Sequence, residues 1–156
     1  MDYHEGYIAI VNSLWTTLCK TENKSKVNIW IRKPVFKAVT IGSPIFFLEK
    51  GSRLIRGFGL FEKFEINSTI NCWNKYGSSN GAATFEEFLG ALNFPNQEIS
   101  HQQLLGCILV KNVVWSLSPL PINQLLVEFS KSTVSGKRIN KDAVNTMLKS
   151  PMFSIE

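Results

Sequence analysis

The stretch Leu54–Phe64 limits the fold more than any other part of the chain. Its apolar and aromatic residues predict the longest strand. Gly57 and Gly59 flank Phe58, however, and leave one face of that strand without side chains. Glycines inside a strand mark a bulge, a bend of the kind a barrel needs, or close approach of a ligand. Around it, Tyr7–Val11, Val27–Ile31, Ile45–Leu48 and Leu105–Leu117 read as further strands, with a short one at Val134–Ile139. Pro34 ends the second of these, and Pro119-Leu-Pro121 breaks the long strand before it.

Helix signals lie between the strands. Asn12-Ser13 offers a cap for a helix over Leu14–Lys20, and Ser68 caps Thr69–Tyr76, which Gly77 closes. Thr84-Phe-Glu-Glu87 is a capping box for a helix to Leu92. A polar loop with Pro95 follows, and a short helix is predicted over Ile122–Leu126. Asn140–Lys149 reads as a capped helix in a C-terminal tail. Strands and helices do not alternate as βαβ units. The expected class is α+β, a partly closed, mostly antiparallel β-barrel with surrounding helices. At 156 residues the chain suits one domain, over 1–139, with 140–156 as a tail or linker to an absent effector.

Chemistry-bearing motifs are scarce. His4 and His101 lack partners at metal-ligand spacing, so neither metal nor cofactor is expected. There is no phosphate-binding glycine loop, and Gly57-Phe-Gly59 lies within a strand, the wrong context for a dinucleotide turn. Glu86-Glu87 occupies the first turn of a helix, where the helix dipole accounts for acids. No nucleophile–base set can be assembled. Cys19, Cys72 and Cys107 follow no disulfide pattern and read as small buried hydrophobes of a reducing cytoplasm. No apolar run is long enough for a membrane span, and Met-Asp-Tyr-His-Glu does not open a secretory signal. The residues argue for binding rather than catalysis.

Charge points to the partner. Lys20, Lys24, Lys26, Arg32, Lys33 and Lys37 face one acid, Glu22, over eighteen positions, a local excess equal to the whole chain's +5. A second basic stretch holds Lys131, Lys137, Arg138, Lys141 and Lys149. Such clusters attract polyanions. Trp30, just before Arg32 and Lys33, could present a stacking face beside phosphate-binding cations, and Trp15 opens a helix directly after the first strand. Trp73 and Trp115 read as packing.

These pieces resemble a known pattern. Tyr7-Ile-Ala-Ile-Val-Asn-Ser-Leu-Trp15 is similar to the opening of a PUA-like domain found at the N-terminus of many HNH restriction endonucleases. Similar stretches follow in the same order at Val27–Trp30, Gly42–Phe47, Gly57–Phe61, Trp73 with Tyr76-Gly77, Asn80–Ala83, Gly106–Leu109 and Ser135–Lys137. The resemblance spans about Tyr7 to Ile139. It implies a relative of the EVE, ASCH, YTH and SRA modules, compact barrels that read modified nucleic acid, often by drawing one base into an aromatic pocket.

In the restriction setting the implied ligand is double-stranded DNA carrying a methylated, hydroxymethylated or larger cytosine. Asn12, Ser13, Trp15 and Trp30 would then lie nearest the pocket, with Phe46 and Phe58 as further lining. Arg32, Lys33, Lys37, Lys137 and Arg138 would hold phosphates. The family's Asp-Asn-Asp after the first strand is here Asn12-Ser13-Leu14, which removes both carboxylates and leaves neutral donors and acceptors. The HNH nuclease has no counterpart here, so a fused or associated one is expected to act as effector. RNA binding, a base-processing enzyme and a purely structural interaction module are the alternatives.

Overall fold

The computed structural model describes residues 3–92, 101–125, 129 and 135–153. The Pro95 loop, Leu126, Lys131 and Val134 lie outside the described residues. The elements run β1 (Glu5–Val11), α1 (Ser13–Thr21), β2 (Val27–Ile31), β3 (Pro44–Glu49), β4 (Leu54–Ser68), α2 (Thr69–Tyr76), α3 (Phe85–Leu92), β5 (Leu104–Pro121), β6 (Gly136–Asn140) and α4 (Lys141–Leu148). Short 3-10 turns occupy Gly77–Asn80, Ile122–Gln124 and Pro151–Phe153.

The fold is α+β, built on one six-stranded sheet ordered β2-β5-β4-β3-β1-β6. Neighbours are antiparallel except β1 and β3, which run parallel because α1 and β2 intervene and return the chain to the same end. The sheet does not close into a barrel. β2 and β6 are its two edges, and the expected partial closure is a seam in which β1 and β2 approach without pairing.

The two glycines of β4 are explained by β5. A Cβ on Gly59 would stand 2.8 Å from the Lys111 carbonyl oxygen, and one on Gly57 would stand 2.8 Å from that of Val114. Around these glycines the β4–β5 register slips repeatedly, at Ile55/Gly57, Phe58/Leu60 and Phe61/Lys63. The close approach is therefore that of two strands paired through bulges, which bend the long β4–β5 ladder. β5 also continues through Pro119 to Pro121 instead of breaking. β2 covers only Gly106–Val110 of β5, so the prolines sit where the strand has one strand neighbour and a lost N–H is tolerated.

Alternation along β1 and β3 sorts the core into two faces. Ala9, Val11, Ile45 and Phe47 pack with Trp15 of α1 and with Ile29 and Val110. On the other face Ile8, Phe46 and Leu48 pack with Ile55 and with Val144 and Met147 of α4. A third cluster lies where Phe88 and Leu92 of α3 and Cys72 of α2 cover Leu105, Cys107 and Leu109. Residues 140–153 are thus not a free tail. Asn140 caps α4 by accepting from the Ala143 N–H at 2.9 Å, and the helix completes the second core. Among the described residues no helix is long and apolar enough to cross a membrane.

Candidate functional site

A cavity of about 450 Å³ opens in the seam between β1 and β2, a volume typical of small-ligand sites. Its walls come from alternate residues of both strands: Tyr7 and Ala9 from β1, Ile29 and Ile31 from β2, with Ile108 of β5 behind them. Beyond β2 the chain turns at Pro34, and Phe36 points inward. Its ring meets Tyr7 edge-on at 5.1 Å between centroids and Phe61 at 5.3 Å. Arg32, Lys33 and Lys37, all exposed, flank this inserted ring and line the same cavity. Three further bases of the stretch make contacts away from the cavity. Lys20 donates to the Ser116 carbonyl at 3.2 Å, Lys24 pairs with Glu22 at 3.2 Å and Lys26 with Glu62 at 3.9 Å.

Polar groups at the cavity are few. Burial raises the phenol pKa of Tyr7, against the effect of a hydrogen bond with Ser135, so Tyr7 keeps its proton at neutral pH and its hydroxyl both donates and accepts. The free edge of β2 supplies more. The Asn28 carbonyl points away from β5 and accepts from Trp15 Nε1 at 3.0 Å. By strand alternation the N–H and C=O of Trp30 point to the same side, into the seam. A recess of about 80 Å³, lined by Asn12, Trp15 and Trp30, adjoins the main cavity and shares Ile10, Ile29 and Trp30 with it.

The predicted pocket residues divide. Trp30 borders the cavity, yet alternation turns its indole to the far side of β2. There Nε1 donates to the Asn80 carbonyl at 3.2 Å and the ring meets Phe88 at 6.2 Å. The aromatic rings that line the cavity are those of Tyr7 and Phe36, while the Trp30 indole is packed away from it. Trp15 is 3% exposed and belongs to the core, wedged against Phe47 and Trp115. Gly81 packs so closely on the Trp15 ring, at φ +84°, that a side chain there would collide with it. Asn12 spends its side-chain oxygen on capping α1, accepting from the Trp15 N–H at 2.7 Å. Ser13 is exposed on the first turn of α1 and does not line the cavity. Phe46 and Phe58 leave the site altogether. They pair across β3 and β4 on the opposite face of the sheet, where Phe46 is wholly buried and Phe58 meets Phe153 at 4.9 Å.

The phosphate-binding set divides as well. Arg32, Lys33 and Lys37 meet at the cavity. Lys137 is paired with Ile8 and so lies on the other sheet face. Arg138, opposite Tyr7, is on the cavity face but ion-pairs with Glu5 at 2.9 Å. Glu5 also accepts from the Thr40 N–H at 2.8 Å. That bond, with Arg138 beside it, holds its carboxyl below the usual range and ties the loop after β2 to β1.

Sequence reasoning missed Tyr7 and Phe36. The signals were there: Phe36 is an aromatic framed by Lys33 and Lys37, and Tyr7 stands two residues from the small Ala9 on one strand face. A buried polar network behind β2 also escaped notice. Asn28 Nδ2 donates to Asn80 Oδ1 at 2.7 Å and reaches Cys72 Sγ at 3.2 Å, and Cys72 lies 3.5 Å from Cys107. All three cysteines are buried free thiols. This network pins the turn that holds the Trp30 indole.

No family model matches the chain, and no curated protein matches it in sequence. Solved structures do match it. Against the ASCH protein of Zymomonas mobilis the chain superposes with a TM-score of 0.64 at 14% identity, covering 90% of this chain and 93% of that one. A tyrosine-to-phenylalanine variant of that protein gives 0.67 at 12% identity, covering 92% and 96%. A serine-to-alanine variant gives 0.67 at 11%, covering 95% and 97%. Nearly the whole of both chains is shared, so this chain has the fold of an ASCH domain, a PUA-like fold.

Proposed function

We propose that the chain is a nucleic-acid-binding module that takes one extruded base, a modified cytosine of duplex DNA, into the cavity between β1 and β2. The observation that carries this reading is the meeting of two aromatic walls, Tyr7 and Phe36, with three cations, Arg32, Lys33 and Lys37, at one opening. A nucleotide has the matching halves: a flat, mostly apolar base and an anionic phosphate. Stacking on an aromatic side chain contributes roughly 1–3 kcal/mol per base, which offsets the few kcal/mol lost on unstacking it from the duplex.

The roles follow from position. The cations at the mouth hold phosphates and set register without reading sequence. Tyr7 and Phe36, in edge-on contact with each other, take the base against the ring surface they leave open to the cavity. The Tyr7 hydroxyl and the outward-pointing N–H and C=O of Trp30 meet its polar edge, since a strand edge offers the paired donor and acceptor that a base edge requires. An added methyl or hydroxymethyl group occupies the remaining apolar space, and a hydroxyl gains most where a buried partner depends on it. In this reading the module binds and does not cleave; a fused or associated HNH-type nuclease acts on the DNA it holds, as in a modification-dependent restriction system.

The test is a titration of one duplex containing cytosine, 5-methylcytosine, 5-hydroxymethylcytosine or its glucosylated form at a single position, beside an RNA of the same sequence. A preference for one modified duplex supports the reading; equal affinity for all four refutes modified-base recognition, and tighter binding of the RNA transfers the site to that polymer. Lys33→Ala with Lys37→Ala should weaken every DNA alike and lower the slope of log K against log salt by about 2.

A further inference from the structure

We propose that Cys72 and Cys107 are a reversible disulfide site, closed by a peroxide, whose bond shifts the support of Trp30 behind the cavity wall. Both thiols are buried and free, Cys72 on α2 and Cys107 on β5, and their sulfurs lie 3.5 Å apart. The third thiol, Cys19, is equally buried but belongs to a different core cluster. The site stands on its own geometry, whatever ligand the cavity takes.

The surroundings of the pair are polar, which packing alone does not require. Three buried asparagines meet it. Asn28 Nδ2 reaches Cys72 Sγ at 3.2 Å, Asn80 Oδ1 lies 3.2 Å from the same sulfur, and Asn67 Nδ2 lies 3.6 Å from Cys107 Sγ. Burying amides costs more than burying apolar groups of the same size, and Asn28 Oδ1 has no hydrogen-bond partner among the described residues. The Cys72 thiol directed at Cys107, with Asn67 beside it, brings the Cys107 thiol below its ordinary pKa despite burial. Burial instead pushes Cys19 up to about 12, so it stays protonated and inert. Asn67 also donates to Glu65 at 2.6 Å, and the Glu65 side chain is 20% exposed. One amide thus separates Cys107 from the surface. Access to Cys72 comes through local opening of α2, a helix of only eight residues.

The chemistry runs in two displacements. The Cys107 thiolate attacks one peroxide oxygen, the O–O bond breaks, and hydroxide leaves behind a sulfenic acid on Cys107. Cys72 then gives up its proton and attacks the Cys107 sulfur; the S–S bond forms, the S–O bond breaks, and hydroxide departs. Protonation of both hydroxides balances the step: two thiols are oxidised and one peroxide is reduced to two waters. A thiol reductant reverses it by exchange. Because a disulfide is about 2.05 Å long, the sulfurs must close by about 1.5 Å. Cys107 is held in register between Trp30 of β2 and Glu65 of β4, so α2 moves. Asn80 follows it, since its Nδ2 donates to the Cys72 carbonyl at 3.1 Å. The Asn80 carbonyl in turn accepts from Trp30 Nε1 at 3.2 Å, and Trp30 borders the cavity.

The test exposes the full, reduced chain to hydrogen peroxide, then unfolds it and alkylates the thiols that remain. One alkylated thiol instead of three is expected, with a linked Cys72–Cys107 peptide and recovery of all three thiols by dithiothreitol. In the folded protein the Trp30 indole N–H resonance should shift on closure and return on reduction. Cys19→Ser should behave like the unaltered protein, whereas Cys107→Ser, lacking the attacking thiol, should keep its Trp30 resonance in place under peroxide. Three alkylated thiols after treatment, or a linkage through Cys19, would overturn the site. Closure with an unmoved Trp30 resonance would overturn its coupling to the cavity wall. The measurements on the unaltered protein decide both points even where Cys107→Ser does not fold. The base-binding reading stands or falls separately, by the duplex titration.

Discussion

Tyr7 and Trp30 show how much a single residue's facing decides. Both are aromatic, both border the cavity, and only one turns its ring into it, because strand parity assigns Tyr7 to the cavity and Trp30 to the Asn80–Phe88 side. Sequence proximity to Arg32 and Lys33 singled out Trp30; parity in a sheet whose partners were unknown was not legible. Charge reads in the same way. Glu65 collects Asn67 at 2.6 Å and Lys75 and Lys63 at 3.1 Å, together with the Tyr76 hydroxyl. Partial burial alone would raise its carboxyl pKa, but these partners outweigh it and hold the group at about 2. A depressed carboxylate stabilises the fold above its unfolded pKa near 4.5 and loses that contribution as pH falls towards 2. Glu65→Gln should therefore cost on the order of 2 kcal/mol at neutral pH and flatten the acid limb of a denaturation series between pH 4.5 and 2. An unchanged limb would show that the cluster holds no such linkage.

Elements whose signals are local were legible. The strand over Val27–Ile31 and the helix over Thr69–Tyr76 fall at the predicted residues, and Asn12, Ser68 and Thr84 each cap a helix through a side-chain oxygen. Elements that depend on distant partners were not. β5 outlasts its prolines because β2 is too short to cover that end, a fact about the neighbour and not about Pro119. α4 reads as a tail because its apolar positions are few, yet Val144 and Met147 are fully buried against β1 and β3 residues. Met147→Ala should consequently destabilise the whole protein by about 2–5 kcal/mol, as deletion of a core side chain does. A loss confined to fraying of α4, with the urea midpoint of the sheet unmoved, would contradict its place in the core.

At the scale of the molecule, one open sheet generates the site. Because β2 and β6 remain its edges and the sheet does not close, a seam runs between β1 and β2, and the basic stretch that ends β2 empties into it. The shared fold with the Zymomonas mobilis ASCH protein accounts for the frame; the aromatic walls and cationic mouth are properties of this chain's own residues. That cavity is the proposed seat of the base. The most direct measurement is the ratio of affinities for modified and plain duplexes in Tyr7→Leu, which keeps the apolar bulk at position 7 and removes both the ring and the hydroxyl. The ratio should fall to about one while the salt slope set by the lysines is retained; a ratio equal to that of the unaltered protein, in a variant that melts normally, would place base recognition somewhere other than this seam.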